Sequence, residues 1–450
     1  MIRGLSAGFN MATRAMQAAQ MAMTLHSQNI AHANDPTYTR RTLENPLDPT
    51  GTMAKIGRLR DLFIDDQYRH ASMNAGEAET RRQLMNRVED IFGDPLTGGL
   101  GLAIDRFFDS FKALAENPAD EVVRLEVLTA GRDFVQHIKT AYTQLETIQQ
   151  RINEQLVAVT QEVNTLLRTV HDLNSRIAAI QNSNQPDAEL RDQRDKVLDQ
   201  LARLTGATHT PLADGTVRVM IGSMPAVDGA TLNQLELVDG TNGPVPKWAG
   251  YNVPTYSGKG VLPALISVRD TDLQQIMTDI DTLAKTLAGK VNEVHATGYG
   301  LDGVTGRNFF VIGAGPADIS VDPTLQAQHI AAGSGSGYQS DGSKAREIYL
   351  LSEQQFFASA VLPGQWHDAR TFYRNMVGWV GSKAQEALQS EEMAEAHIRI
   401  SQEQRSSKWG VSVDEEVAAL TVQQKSFAAA ARVMSAMDEM LDLLINGVGR

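Results

Sequence analysis

The sequence of 450 residues contains no cysteine, and none of its apolar runs reaches the roughly 18 residues of a membrane-spanning helix. The lack of cysteine excludes disulfide bonds, thiolate metal sites and a cysteine nucleophile, and it suits a chain that passes between redox compartments without cross-linking. Basic side chains are in deficit, with 41 lysines and arginines against 54 aspartates and glutamates. The net charge of −13 disfavours a nucleic-acid partner, because binding to a phosphate backbone needs a basic surface.

Motifs for catalysis, metal binding or nucleotide binding are absent as well. No two of the ten histidines have the spacing of an HExxH zinc site. The glycine-rich segment at Gly98 lacks the residues of a phosphate-binding loop, and the turn at Asp302 lacks the other ligands of a calcium loop. The first 30 residues lack the continuous apolar run of a secretory signal peptide, so Sec-type export is not expected. We therefore predict a protein that is not an enzyme and has no catalytic, cofactor-binding or metal-binding residue.

Apolar residues at both ends of the chain recur in alternating steps of three and four, which is the spacing of a coiled-coil seam. The first 60 residues carry seven basic and three acidic groups (+4) and the last 60 carry six and ten (−4), so the two helices are expected to pair. Packing as the ordinary core of a helical protein is the alternative. A capping box, Ser412 with Glu415, precedes the second helix. The seam positions are Ile2, Leu5, Phe9, Ala12, Met16, Ala19, Met23, His26 and Ile30, and Val413, Val417, Leu420, Gln424, Phe427, Ala431, Met434, Asp438, Leu441, Ile445 and Val448.

The middle of the chain has no glycine or proline between Gly131 and Pro186, and its apolar residues keep a near-heptad rhythm. A single long helix of about 132–183 is therefore predicted. In the segment 206–264, glycines and prolines separate short β-type runs, and Asp214-Gly215 is a hairpin signal. The predicted fold class is mainly α, with paired N- and C-terminal coiled-coil helices, a long central helix in an α-helical domain, and a small β-rich insertion.

The domain organisation follows from these elements. In chain order we predict the N-terminal half of an inner coiled-coil domain (1–45), a helical domain (46–205), the β-rich segment (206–264), a helix (265–297), a strand and loop region (298–345), a return of the helical domain (346–405) and the C-terminal half of the coiled-coil domain (406–450).

Three segments resemble the rod and hook axial proteins of the bacterial flagellum. SQNIAHANDPTYTRR (27–41) is similar to that family's asparagine-rich helix end and turn, although Asp35 and Thr37 stand where threonine and glycine are usual. AELRDQRDKVLDQLARLTG (188–206) is similar to a segment that leads from the long helix into the β region, and residues 410–446, which begin GVSVDEE, are similar to the carboxy-terminal signature. The family signature residues are Asn29, Asn34, Tyr38, Arg40, Asp192, Gln193, Arg194, Asp195, Asp414, Glu415 and Glu416.

Within the axial proteins, the second segment and the β region after it resemble the FlgK family of hook-associated proteins. The second hook-filament junction protein, or another axial protein, is the alternative. The resemblance implies a structural subunit of the flagellum, an adaptor at the hook-filament junction that assembles as a ring on the hook and accepts the next junction protein. It also implies export from the cytoplasm by the flagellar type III apparatus, without a cleaved signal peptide, to an extracellular position on the flagellum.

The partners that the resemblance implies are the flagellar hook protein, the second hook-filament junction protein, further copies of the chain in the ring, and an export chaperone of the FlgN kind at the C-terminal helix. Longer family members carry an outer domain near 298–345, which this chain is expected to lack. A cytoplasmic coiled-coil scaffold is a remote alternative that would not explain the three matching segments. A wall hydrolase is another, and it would need a domain of its own.

Assembly is expected to bury the apolar stripes of both termini, because neither helix can cover its stripe alone. The terminal segments are therefore expected to be disordered or weakly helical before docking. Asn29, Asn34, Tyr38 and Arg40 are expected to fix the turn where the first helix ends, since asparagine side chains satisfy backbone groups there. The residues expected at the assembly interface are Leu5, Phe9, Met16, Met23, Leu420, Phe427, Met434, Leu441 and Ile445.

Overall fold

The structure, a computed structural model, describes residues 2–35, 38–44, 55–93, 99–181, 187–251, 258–337, 339–358 and 364–447. Helices dominate these residues, which confirms the predicted mainly α fold. No helix among them is long and apolar enough to cross a membrane. A π-helical turn, Val268–Asp272, joins two of the helices. The helices are α1 (Ile2–Ala31), α2 (Leu62–Phe92), α3 (Leu100–Glu116), α4 (Glu121–Gln181), α5 (Ala188–Thr205), α6 (Val261–Ser267), α7 (Leu273–His295), α8 (Ser343–Leu350), α9 (Ala369–Trp409) and α10 (Val413–Gly447).

The strands are short and pair antiparallel. The pairs are β1 with β2, β7 with β8, β9 with β10 and β11 with β12, and β3 to β6 form a four-stranded sheet in chain order. The hairpin predicted at Asp214-Gly215 joins β3 to β4, with Gly215 at φ 78° and Thr216 N donating to Asp214 Oδ1 at 3.0 Å. The strands are β1 (Arg41–Glu44), β2 (Lys55–Arg58), β3 (Thr208–Pro211), β4 (Val217–Ile221), β5 (Met224–Asp228), β6 (Thr231–Leu232), β7 (Leu235–Gly240), β8 (Gly243–Trp248), β9 (Phe310–Val311), β10 (Ser320–Val321), β11 (Phe357–Ala358) and β12 (Trp366–His367).

Helix α4 is the long helix that the sequence predicts, but it begins at Glu121 and not near residue 132. Its 61 residues span about 90 Å at 1.5 Å per residue. Gly131 therefore lies inside the helix, where glycine costs about 1 kcal/mol relative to alanine. A β-carbon at this position would lie only 2.7 Å from Cε1 of Phe309, so the close approach of that ring explains the glycine.

The core is built on one face of α4 and is continuous from α2 to α9. Its centre is a cluster of five phenylalanine rings from α3, α4 and the segment around β9. The ring of Phe107 lies 5.3 to 5.8 Å, centroid to centroid, from the rings of Phe111, Phe134, Phe309 and Phe310. The segment around β9 thus carries two aromatic side chains, Phe309 and Phe310, into the core of the helical domain.

Helices α1 and α10 pack against each other, as their opposite charges predict, and they run antiparallel, since Gly8 lies against Met437 and His26 against Glu416. On α1 the fully buried apolar side chains are Ala12, Ala19, Ala22 and Leu25. On α10 the contact face differs from the predicted seam, because Gln424 and Asp438 are exposed. The observed contact face keeps heptad spacing and consists of Glu416, Leu420, Gln423, Phe427, Ala430, Met434, Met437 and Leu441. The helix is rotated so that Met437 is covered in place of Asp438.

A buried histidine holds the loops after α7 to the core. His295 is fully buried at the end of α7, donates from Nδ1 to the carbonyl oxygen of Arg307 at 2.7 Å, and accepts at Nε2 from Ala331 N at 3.0 Å. The contact with Ala331 requires the neutral ring, because a protonated ring has no nitrogen that can accept a hydrogen bond. Burial is the main cause that lowers the pKa of His295. The hydrogen bond to the Arg307 carbonyl raises it, the charges of Arg307 and Arg124 lower it, and the resulting pKa is about 4.

We expect His295 to make stability depend on pH. Its pKa in the unfolded chain is about 6.5. Because the folded value is lower, stability is lost as pH falls from about 6.5 towards 4, and at pH 5 the loss is about 2 kcal/mol. In urea unfolding, the wild type should lose about 2 kcal/mol more of its free energy of unfolding between pH 7 and pH 5 than His295→Gln does.

The matched control is His70→Gln, which alters an exposed histidine of α2 and should keep the wild-type difference. An undiminished pH dependence in His295→Gln would contradict the assignment.

Candidate functional site

The segment that leaves α1 and the segment that enters α10 meet beside the end of α9. Arg40, which follows α1, donates from its backbone N to the carbonyl oxygen of Trp409, the last residue of α9, at 3.2 Å. Its own carbonyl oxygen accepts from Leu59 N, after β2, at 3.0 Å. The segment leaving α1 is therefore hydrogen-bonded to the segment entering α10. We call this place the terminal joint and define it by His26, Asn29, Tyr38, Arg40 and Glu416.

The carboxylate of Glu416, in the first turn of α10, is the centre of the terminal joint. It is fully buried. Its Oε1 accepts from Arg40 Nε at 2.7 Å, and its Oε2 accepts from Asn29 Nδ2 at 2.9 Å and lies 2.6 Å from His26 Nδ1. Burial by itself would raise the pKa of Glu416, but the hydrogen bonds from His26 and Asn29 and the charge of Arg40 outweigh it, so the pKa lies below its usual value. The carboxylate is charged and joins α10 to both α1 and the turn after it.

Asn29 fixes the turn after α1, as the sequence predicts for asparagines at this helix end. Its side chain behaves like a strand partner of Arg41, because Oδ1 accepts from Arg41 N at 3.1 Å and Nδ2 donates to Arg41 O at 3.1 Å. The same Oδ1 accepts from the hydroxyl of Tyr38 at 2.8 Å. The Tyr38 ring stacks on His32 with centroids 4.7 Å apart. Burial raises the pKa of Tyr38, which keeps its hydroxyl a donor.

A second group of charges lies beside the terminal joint and was not predicted as a set. We call it the arginine-aspartate cluster, and it consists of Arg58, Arg60, Arg69 and Arg405 with Asp65, Asp192, Asp195 and Asp199. Asp195 Oδ2 lies 2.5 Å from both Arg58 Nη2 and Arg60 Nη1. Burial would raise the pKa of Asp195, yet Arg60, Arg58 and Arg69 together lower it to about 2. The β1–β2 hairpin is thereby tied to α5.

The rest of the cluster ties α5 to α2 and α9. Asp199 Oδ1 lies 2.8 Å from Arg69 Nε, and Asp199 Oδ2 lies 2.7 Å from Arg405 Nη1. Arg405 also reaches Asp65 at 2.8 Å and stacks over the ring of Tyr68 at 3.7 Å. The spacing of Asp192, Asp195 and Asp199 is i, i+3, i+7, which places them on one face of α5. That spacing was the available sequence signal, but the arginines opposite it come from distant segments.

The structure separates the signature residues into groups. Asn29, Tyr38, Arg40 and Glu416 meet in the terminal joint, and Asp192 and Asp195 belong to the arginine-aspartate cluster. Arg194 belongs to neither group, and its side chain donates to Asn174 Oδ1 and to Gly215 O. Asn34, Gln193, Asp414 and Glu415 are exposed, although Glu415 lies 3.1 Å from Arg40. In the part of the chain that the structure describes, no three histidine, aspartate or glutamate side chains form a group that could hold a metal ion.

The predicted interface residues lie on the terminal helix pair. Phe9 is 38% exposed. Leu5 and Ile445 lie on α1 and α10 at positions whose side chains are outside the described part of the structure. The remaining six are half-buried between or beside the two helices: Met16, Met23, Leu420, Phe427, Met434 and Leu441.

Comparison with known families identifies the chain. Residues 402–447, which contain α10, match the family of the flagellar basal body rod FlgEFG protein C-terminal region. Residues 85–310, half of the chain, match the flagellar hook-associated protein FlgK helical domain. The chain belongs to the FlgK family of flagellar hook-associated proteins. The resemblance seen in the sequence is confirmed.

Individual FlgK-family relatives extend the match. The chain is 25% identical to flagellar hook-associated protein 1 of Bacillus subtilis over 98% of both chains. It is 27% identical to the protein of that name from Salmonella typhimurium, over 69% of this chain and 60% of that one. The structure of the flagellar hook junction protein FlgK from Burkholderia pseudomallei is similar with a TM-score of 0.50 and 25% identity, over 55% of this chain and 47% of that one.

These FlgK-family relatives are structural hook-associated proteins. The predicted structural role in the flagellum, in association with hook components, is therefore confirmed, and the chain is not an enzyme.

Removal of one charge from the arginine-aspartate cluster should destabilise the protein strongly. Asp195→Asn leaves Arg58 and Arg60 buried without their shared carboxylate, and we expect the free energy of unfolding to fall by about 3–5 kcal/mol. Urea unfolding at pH 7 measures this change. Asp172→Asn, which removes an exposed ion pair with Arg176 on α4, should change it by less than about 0.5 kcal/mol. Equal effects of the two substitutions would show that the cluster does not stabilise the fold.

Proposed function

We propose that this FlgK-family protein is an adaptor subunit of the hook-filament junction. Its subunits form a ring on the hook, pack through their paired terminal helices, and offer a surface to the second hook-filament junction protein. The observation that supports this proposal is an exposed apolar stripe on α10, on the side that α1 does not cover. Family membership and the position of the signature residues at the terminal joint support it further.

The outer stripe of α10 has coiled-coil spacing. It consists of Val422, Ser426, Ala429, Val433, Ala436, Met440 and Leu443, which are separated by alternating steps of four and three, and all seven are exposed. Leu443 has 74% of its surface exposed. Six of these seven residues are apolar, and a largely apolar face on a charged chain indicates a surface that is covered by another protein. A heptad stripe of this kind fits a further helix from a neighbouring subunit.

The terminal joint gives this stripe a defined direction. The helix pair has little other attachment, because α10 packs against α1 and α1 otherwise contacts β1. The buried Glu416 carboxylate and its three donors therefore set how the pair leaves the helical domain. A ring of subunits needs that direction to be the same in every copy, since each stripe must meet its neighbour.

We also propose that the terminal pair orders fully only in the assembly, after export through the flagellar type III apparatus. Three of the four buried apolar side chains on α1 are alanines, which contribute little hydrophobic free energy against the cost of ordering about 30 residues. The exposed stripe of α10 is also a suitable surface for an export chaperone of the FlgN kind in the cytoplasm.

Hydrogen exchange on the free chain tests this part of the proposal. We expect fast exchange over residues 2–31 and 413–447 and slow exchange over 132–181, because the central helix, unlike the terminal helices, is buried in a large core. In hook-bound chains the terminal segments should become protected. Slow exchange at both ends of the free chain would show that the two helices already stabilise each other, and folding on docking would be rejected.

A charge in the outer stripe should weaken assembly without disturbing the subunit. Val433→Glu places a carboxylate in the proposed contact, and its desolvation should lower self-association or hook binding at least about tenfold, equivalent to about 1.4 kcal/mol. Sedimentation and hook-binding assays measure this. Ser435→Glu adds the same charge to an exposed position of α10 outside the stripe and should bind as wild type. If both variants assemble equally well, the stripe is not the contact.

A further inference from the structure

A cavity of about 380 Å³ lies where the β1–β2 hairpin, the start of α5 and the β3–β4 hairpin meet. Seven of its lining residues are charged. Four are arginines, namely Arg58, Arg60, Arg191 and Arg194, and three are aspartates, namely Asp65, Asp187 and Asp195. The lining therefore carries a net charge of 4 − 3 = +1.

The three aspartates are already paired. Asp195 lies 2.5 Å from Arg58 and from Arg60, and Asp65 pairs with Arg60 and with Arg405 of α9. Asp187 lies 2.7 Å from Arg191 on the first turns of α5. These pairs use three of the four arginines. The excess positive charge of the lining therefore belongs to Arg194.

Arg194 is a buried cation with neutral partners. Its surface is 4% exposed, and its Nη1 donates to Asn174 Oδ1 at 3.0 Å and to Gly215 O at 2.9 Å. The ion pairs among the described residues leave it without a carboxylate within 4.0 Å. The Nε atoms of Arg194 and Arg58 are buried and have no hydrogen-bond partner in the described parts of the chain. The pKa of Arg194 is lowered to about 10, mainly by burial; the charges of Asp195 and Asp187 raise it and those of Arg191 and Arg58 lower it, so the desolvated charge is incompletely compensated.

We propose that this cavity is a carboxylate-binding site with Arg194 as its principal contact. A guanidinium group presents a planar set of donors that matches a carboxylate, and a buried cation without a counter-ion gains most from one. The carboxylate comes either from a small di- or tricarboxylate in solution or from an aspartate or glutamate side chain of a neighbouring flagellar subunit. The site itself does not depend on the proposed function, whereas the second source does.

Thermal unfolding of the full chain in citrate tests the site. Citrate stabilises many proteins by exclusion from their surface, so each measurement is compared with sodium chloride at equal ionic strength and between variants. Wild type should show a saturable rise of Tm by several degrees, because a ligand that binds only the folded state stabilises it. Arg194→Gln should lose the saturable part. Because this variant also loses the hydrogen bonds to Asn174 and Gly215, a second variant is needed.

Leu62→Glu supplies the carboxylate from the chain itself. Leu62 lines the cavity and is 54% exposed at the first position of α2. A glutamate there should compete with citrate and abolish the saturable shift of Tm. Phe63→Glu is the matched control, since Phe63 is 69% exposed, belongs to the same helical turn and does not line the cavity. It should keep the shift. Equal citrate responses of Leu62→Glu and Phe63→Glu, or a wild-type response no larger than that of chloride, would overturn the proposal.

Self-association distinguishes the two sources. If a neighbouring subunit supplies the carboxylate, Leu62→Glu and saturating citrate should each weaken self-association about tenfold in sedimentation experiments, and Phe63→Glu should not. If a small molecule is the ligand, self-association stays at the wild-type level while the saturable shift of Tm persists. Both results support the site and identify what fills it.

Discussion

The placement of the terminal helix pair on the helical domain depends on one buried carboxylate. Glu416 receives donors from α1 and from the turn after it, although these residues lie about 390 positions earlier in the chain. The end of α1 and the start of α10 are thus held at the same point on the helical domain. Each of these donors has a fixed position, and an apolar contact of the same area would not define the angle at which α10 begins. We infer that this buried ion pair contributes more to the orientation of α10 than to net stability.

The arginine-aspartate cluster continues the same principle into the helical domain. Arg58 and Arg60 extend from the hairpin that follows the terminal joint, and Arg405 comes from the last turns of the helix that precedes it. All three meet carboxylates whose positions are set by α2 and α5. The path from the terminal helices to the core therefore runs through charged contacts, whereas the core around α4 is apolar.

The sequence predicted the elements better than the contacts between them. The long helix, the hairpin at Asp214-Gly215 and the pairing of the termini follow from local spacing, turn chemistry and charge. The start of α4 was missed because Gly131 looks like a boundary, and only the distant Phe309 ring explains a glycine there. The predicted seam on α10 is wrong at alternate positions. Gln423 and Gln424 are adjacent, as are Met437 and Asp438, and only packing against α1 decides which residue of each pair is covered. The signature at Glu416 was recognised, but its donors could be assigned only after folding.

The segment 188–206 shows how one short signature serves two purposes. Asp192, Asp195 and Asp199 occupy one face of α5 and hold the hairpin, α2 and α9. Arg191 and Arg194 are three residues apart on a neighbouring face and line the cavity beside the β3–β4 hairpin. Because a helix turns by about 100° per residue, adjacent residues of the motif face different neighbouring elements. The acidic face pairs with arginines from within the same chain. Among the described residues no carboxylate lies within ion-pair distance of Arg194 on the basic face, and this asymmetry favours the basic face as the side of α5 that binds a ligand.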